Sequence, residues 1–161
     1  MKNKILNLEE LEVVVKKLMP DNRVVLTNGC FDLLHTGHVR YLNKASNLGD
    51  ILIVAVNSDQ SVKELKGGSR PLIPLNERME LLAALEAVDY VTDFSTVTCS
   101  PVIARLKPDI YVKGGDYSPE TLPEWNAVNE YGGDVKFIEM TTERSTSGII
   151  EKIISSHKNK Y

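Results

Sequence analysis

Two histidines, separated only by Thr36 and Gly37, close the stretch NGCFDLLHTGH at residues 28–38. Residues of these types support several chemistries: a metal site, a His/Asp catalytic pair, a phosphate cradle, or a loop with no chemical role. Gly29 lets backbone approach a ligand closely, and Gly37 removes a side chain between the imidazoles, so both rings can address one anion above a helix N-terminus. Zinc would need a third and fourth Cys or His at ligand spacing, and the sequence offers none. A triad in which Asp32 orients His35 needs a nucleophile, yet no Ser or Cys occupies an elbow and Cys30 is expected to pack inward. Short HxxH patterns are common, so the local pattern leaves these alternatives open.

Phosphate-type donors recur elsewhere. Lys66 and Arg70 flank Gly67 and Gly68 in LKGGSRP, where a charged, solvated loop and a ligand contact are equally compatible with the pattern. Arg78 falls in the first turn of an expected helix, against the macrodipole, which points to an anion nearby. VKGGDY brings Lys113, Gly114 and Asp116 to the end of an expected strand. RSTSG combines Arg144 with Ser145, Thr146 and Ser147, a helix cap whose exposed amides also favour phosphate. Taken together, the donors suit a polyphosphate. The sequence contains no GxxxxGK[ST], GxGxxG or GxSxG, which removes most of the weight from a P-loop kinase, a standard dinucleotide enzyme and an α/β-hydrolase.

The elements that must carry these residues alternate. An amphipathic helix is expected over 8–19, ended by Pro20, as an appendage covering 1–22 ahead of a main domain at 23–161. Strands are expected at 23–27, 51–57, 90–94, 109–113 and 134–139, with helices at 38–48, 76–88 and 100–106, near PEWNAVNEY, and from STSGIIEKI onward. In the last, Ser145 offers a cap and Ile149, Ile150, Ile153 and Ile154 share one stripe. The polar stretch 58–74 reads as a connection with at most one helical turn. Five strand-helix alternations imply an α/β fold, a single Rossmann-like, doubly wound parallel sheet with right-handed crossovers. Its ligand site is expected beyond the carboxyl ends of the strands, where the strand order reverses.

The 161 residues suit one domain. With 19 Lys+Arg against 22 Asp+Glu, the net charge is too balanced for a duplex nucleic-acid partner. Cys30 and Cys99 are isolated in sequence, which suits a reducing cytoplasm. The N-terminus lacks the continuous apolar region of a signal peptide, and no run approaches the roughly 20 apolar residues of a membrane span.

On GCFDLLHTGH and STSGIIEKI, two elements more than a hundred residues apart, the chain resembles the cytidylyltransferase-like nucleotidyltransferases. LGDILIVAVNSD, LKGGSRPLIPLNERMELLAALEAVDYV and KPDIYVKGGDY are similar to the branch that adenylylates heptose 1-phosphate. The resemblance implies transfer of AMP from ATP to D-glycero-D-manno-heptose 1-phosphate with Mg²⁺ assistance. ADP-heptose and pyrophosphate would be the products, without a covalent enzyme intermediate. It also implies that His35 and His38 donate to the triphosphate and that Lys66 is a mobile phosphate clamp. Asn28, Gly29, Cys30, Phe31 and Asp32 would line the nucleotide pocket, with Arg78, Lys113, Gly114, Asp116 and Ser145 to Ser147 holding base, ribose or phosphates. A homodimer is implied as well, the 8–19 helix being a candidate participant, and so is a product used for lipopolysaccharide or another surface glycan. TTER stands where the cytidylyltransferase branch carries RTEGI, so base choice is less firmly indicated than reaction class. A CTP-dependent enzyme acting on glycerol 3-phosphate is the alternative. No kinase-sized segment accompanies the domain, so a stand-alone form served by a separate kinase and phosphatase is expected.

Overall fold

Every strand amino end but the last is tied by an aspartate. Val24 N–H donates to Asp109 Oδ2, Arg23 N–H to Asp50 Oδ2 and Leu52 N–H to Asp89 Oδ2, all within 2.7–2.8 Å. Polar turns with acidic side chains thus start the strands, and the near-continuous apolar runs that follow form a sheet covered on both faces. The computed structural model describes residues 3–115, 117–139 and 145–158. Asp116 and Arg144 lie outside the described residues.

The strands are β1 (Val24–Gly29), β2 (Ile51–Asn57), β3 (Tyr90–Phe94), β4 (Ile110–Gly114) and β5 (Asp134–Ile138). They pair in the order β3-β2-β1-β4-β5 and every pairing is parallel. The chain runs outward from β1 through β2 to β3, then returns to the other side of β1 for β4 and β5. The reversal between β1 and β4 opens a crevice at their carboxyl ends, as expected of a doubly wound sheet.

Alternation along each strand divides the core. Val24 and Leu26 face α1 (Leu8–Leu18), α5 (Ser100–Leu106) and α6 (Trp125–Asn129). Val25 faces the opposite way, toward α2 (Thr36–Ser46) and α4 (Leu75–Ala83). The helix expected near the N-terminus is integral to the first of these layers: Leu11 and Val15 are fully buried in it. Asn7 and Glu10 close a capping box at its start, each satisfying a backbone N–H that would otherwise have no partner. Arg105 of α5 reaches both Glu9 and Glu12 across the helix pair. Ahead of α1, Ile5 bridges Val91 and extends the sheet past β3, covering part of an edge that would otherwise be open.

Two expectations need correction. The 58–74 connection contains α3 (Asp59–Lys66), two turns of helix rather than one at most. Ser58 caps it by accepting from Ser61 N–H, and Val62 anchors it in the core; with so few apolar positions the helical period was hidden by its polar face. The helix expected over 76–88 stops at Ala83, and Leu85 and Val88 turn back to lead into β3. The last helix, α7 (Thr146–Lys158), forms as expected, with Ser145 Oγ accepting from Gly148 N–H at 3.0 Å. Its isoleucine stripe is half-buried at Ile149 and Ile150 and exposed at Ile153 and Ile154. Among the described residues no helix is long and apolar enough to cross a membrane.

Candidate active site

The loop after β1 is held in one conformation by contacts the motif does not announce. Phe31 adopts φ 47°, in the left-handed region, which costs a bulky residue about 1–2 kcal/mol. Its ring lies over Gly29, where an added Cβ would come within 3.0 Å of it. A side chain there would press the ring aside by a few tenths of an ångström, so glycine lets the ring pack closely. The same ring meets His38 edge-on at 5.4 Å between centroids.

Asp32 does not orient an imidazole. It is buried, its Oδ1 accepts from Leu72 N–H at 2.8 Å and Ile73 N–H at 2.9 Å, and its Oδ2 pairs with Arg70 Nε at 2.6 Å. Asp32 thus ties the β1 loop to the segment after LKGGS and positions Arg70 on the rim of the cavity. Arg78 works to the same end. Fully buried, it donates to the carbonyls of Ile73, Cys30 and Asn57 and pairs with Asp59 Oδ1 at 2.7 Å. The anion its position at a helix start suggested is Asp59, and Arg78 does not line the cavity.

The histidines cap α2. His35 is the N-cap, and its Nδ1 accepts from Gly37 N–H at 3.1 Å. With Nδ1 an acceptor, the neutral ring carries its proton on Nε2, leaving that atom as a donor. His38 stacks on His35 with centroids 3.9 Å apart, and its buried Nδ1 has no partner among the described residues. Desolvation, with a smaller contribution from His35, pushes His38 down to about 4, and desolvation also lowers His35. Both rings are therefore neutral donors at pH 7 and gain charge only when an anion arrives to support it.

The first turn of α2 contains no acidic residue, and neither does that of α7. Both positive helix ends are left uncompensated. They come together because Thr146 Oγ1 donates to Leu33 O at 3.4 Å, joining residues 113 positions apart. From β4, Lys113 Nζ donates to Asn28 Oδ1 at 3.1 Å, which also accepts from Tyr111 OH. Lys66, the exposed last residue of α3, faces the cavity from the β2 side.

The result is one cavity of ≈ 830 Å³ at the switch point. Of the residues singled out from the sequence, Asn28, Gly29, Cys30, Phe31, Asp32, His35, His38, Lys66, Lys113, Gly114 and Ser145 to Ser147 all line it. Reading the sequence alone missed Asn57, Tyr117 and Glu124. Glu124 directly precedes a five-residue helix, where a glutamate looks like any solvated helix residue.

Cys30, expected to pack inward, is only partly buried and lines the cavity; burial raises its thiol pKa, with Lys66 and Arg78 only partly opposing this, which disfavours the thiolate a nucleophile needs. Among the described residues no three His, Cys, Asp or Glu converge. N–H, O–H and ammonium donors, with the Glu124 carboxylate among them, thus surround a space large enough for a nucleotide.

A family model described as cytidylyltransferase-like matches residues 26–159. The bifunctional protein HldE of Syntrophotalea carbinolica is 53% identical over 135 residues, covering 84% of this chain and 28% of that protein. HldE of Citrifermentans bemidjiense is 52% identical over 156 residues, covering 96% and 32%. This chain therefore spans about a third or less of the length of those relatives. Among solved structures, a lipopolysaccharide core biosynthesis protein from Thermoplasma volcanium superposes with a TM-score of 0.63 at 29% identity, over 76% of this chain and 99% of that one. Pantoate-beta-alanine ligase from Francisella tularensis, at 18% identity and TM-score 0.64 over 89% and 69%, shares the fold.

Proposed function

Because the chain belongs to the cytidylyltransferase-like family, we propose that it transfers AMP from ATP to D-glycero-D-manno-heptose 1-phosphate, releasing pyrophosphate and forming ADP-heptose. The observation that carries this reading is the stacked His35–His38 pair at the start of α2, joined to the start of α7 by the Thr146–Leu33 contact. High similarity to the HldE proteins supports the choice of substrates.

In this reading a phosphate oxygen of the sugar phosphate attacks the α-phosphorus in line. A new O–P bond forms, the bond between the α-phosphorus and its bridging oxygen breaks, and pyrophosphate leaves with the electron pair. The chain supplies position and fixed donors rather than a covalent partner. His35 Nε2–H and the imidazole of His38 donate to the phosphoryl oxygens and become more basic as negative charge develops there. The exposed amides at the starts of α2 and α7 hold the remaining phosphate oxygens. Lys66, exposed and on the α3 terminus, closes over the phosphates once they are bound.

Mg²⁺ would arrive on the triphosphate and neutralise its charge, the usual mode for an ion that keeps several waters and takes few protein ligands. Asp32, a carboxylate in the cavity wall, is already occupied by two amides and Arg70, so phosphate oxygens are the main ligands in this reading. A cytoplasmic location and a homodimer belong to the same proposal; sedimentation equilibrium checks the dimer.

Pyrophosphate release, measured with heptose 1-phosphate or glycerol 3-phosphate against each of the four nucleoside triphosphates with Mg²⁺, tests the reading. Release with ATP and the heptose phosphate supports it. Release only with CTP and glycerol 3-phosphate overturns it.

A further inference from the structure

Resting on the reading that this cavity joins a nucleotide to a sugar phosphate, we propose that Glu124 is the acceptor-recognition residue. Its carboxylate oxygen Oε2 accepts hydrogen bonds from the hydroxyls of a polyhydroxylated phosphate while Lys113 donates beside it. Glu124 is 2% exposed yet lines the cavity. Its Oε1 accepts from Cys99 N–H at 3.1 Å, which fixes the side chain. Its Oε2 is buried and finds no partner of regular hydrogen-bond geometry among the described residues, while Tyr111 OH interacts with the same carboxylate. Lys113 Nζ stands 3.7 Å from it, close enough to offset charge and too far to hydrogen-bond.

A buried carboxylate oxygen without a donor is costly, so a ligand that brings one gains affinity. That ligand group is not phosphate, which the carboxylate would repel. It is a neutral, donor-rich part of a substrate. The placement agrees, because the flanking Leu122 and Val128 and the bonded Cys99 belong to the α1/α5/α6 layer. His35 and His38 rise at the start of α2, on the other face of the sheet. Glu124 therefore meets the end of the substrates remote from the phosphate donors. Polar groups also stand beside it: Asn28 Oδ1, Tyr111 OH and Lys113 Nζ form a connected set. Alternating acceptors and donors of this kind match several hydroxyls on neighbouring carbons, each of which both donates and accepts. A nucleobase would present one edge and ask for apolar faces on either side.

Glu124→Gln keeps the shape and an oxygen for Cys99 N–H while weakening the acceptor. Pyrophosphate release is measured for wild type and variant with heptose 1-phosphate, glycerol 3-phosphate and ethyl phosphate, alongside calorimetric titration with ATP and the thermal midpoint. The variant is expected to raise KM for the sugar phosphate about tenfold, with kcat, ATP affinity and ethyl phosphate turnover little changed. Wild-type preference for hydroxylated acceptors then collapses. Glu124→Asp, which retains charge but withdraws it, should fall between and provides the second variant if Gln impairs folding.

An unchanged preference overturns the proposal, as does equal weakening of all three acceptors, the sign of a structural role. A loss confined to ATP affinity overturns it in favour of a base contact. If wild type uses glycerol 3-phosphate and not the heptose phosphate, the heptose reading fails, while Glu124 is still judged by the glycerol-to-ethyl ratio. If wild type neither turns over nor, by saturation-transfer NMR, binds any polyol phosphate, both fail.

Discussion

The two walls of the cavity are unsatisfied in opposite senses. On the α2 and α7 side the spare groups are donors: His35 Nε2–H and the amides of two helix starts without acidic residues in their first turns. On the β4 and α6 side the spare group is an acceptor, the buried Oε2 of Glu124. A cavity that binds only phosphate has no use for the second wall, and one that binds only a neutral polyol has no use for the first. The contrast suits the proposed ligand pair, with anionic charge at one end and hydroxyl donors at the other.

The donor wall depends on a residue that does not itself line the cavity. Arg78→Ala leaves the carbonyls of Cys30, Asn57 and Ile73 without their donor. At about 1–3 kcal/mol for each buried unsatisfied group, urea unfolding should show a loss of about 3 kcal/mol or more, and Arg78→Lys should not restore it, since an ammonium cannot reproduce the planar fork. If Arg78→Ala is as stable as wild type, the donor wall is not held this way.

Removing a donor from the wall itself should spare the fold and strike turnover. His38→Ala is expected to lower kcat by about 100-fold or more, with a circular dichroism spectrum like that of wild type. Activity within threefold of wild type would remove His38 from the donor set. Lys66→Ala should do less, because the side chain is exposed and unanchored: about tenfold in kcat/KM, relieved little by high ATP if the clamp acts during transfer.

The smallest effect sharpens the contrast through pH. The His38 imidazole titrates lower when folded, at about 4, than the 6.5 of an unperturbed histidine. Between these values the unfolded chain binds the proton first, so the contribution to stability is present above about 6.5 and is lost as pH falls toward 4. Thermal midpoints should therefore drop by several degrees from pH 7 to pH 5, less steeply in His38→Gln. Bound triphosphate should flatten the slope in wild type, because it favours the protonated ring. A slope identical in wild type and His38→Gln would contradict the assignment.

Five strands, their order of appearance and most of the donor wall were legible in the sequence because each rests on a local signal. Apolar runs bounded by Asp and Gly mark strands, and HTGH and STSG mark helix starts whose caps depend on neighbours a few residues away. Arg78 was legible as a charge in an awkward place, but not as a residue spent on three carbonyls, since its partners lie 5, 19, 21 and 48 positions away. α3 was hidden because a short helix with one side in water shows little hydrophobic period. Nor did an amphipathic pattern over 8–19 reveal that Leu11 and Val15 belong to the central core.

The sequence by itself determined a parallel α/β sheet and a histidine pair at a helix start, because periodicity and capping are short-range physics. Only the tertiary structure decided which charges serve the protein and which are left for a ligand. Asp32 and Arg78 are consumed by contacts that close only when distant segments meet, whereas Glu124, unremarkable in sequence, is carried by Cys99 and α6 to the cavity with one oxygen unmatched. Whether a polar group is satisfied is a property of its three-dimensional neighbours, and spacing along the chain does not encode it.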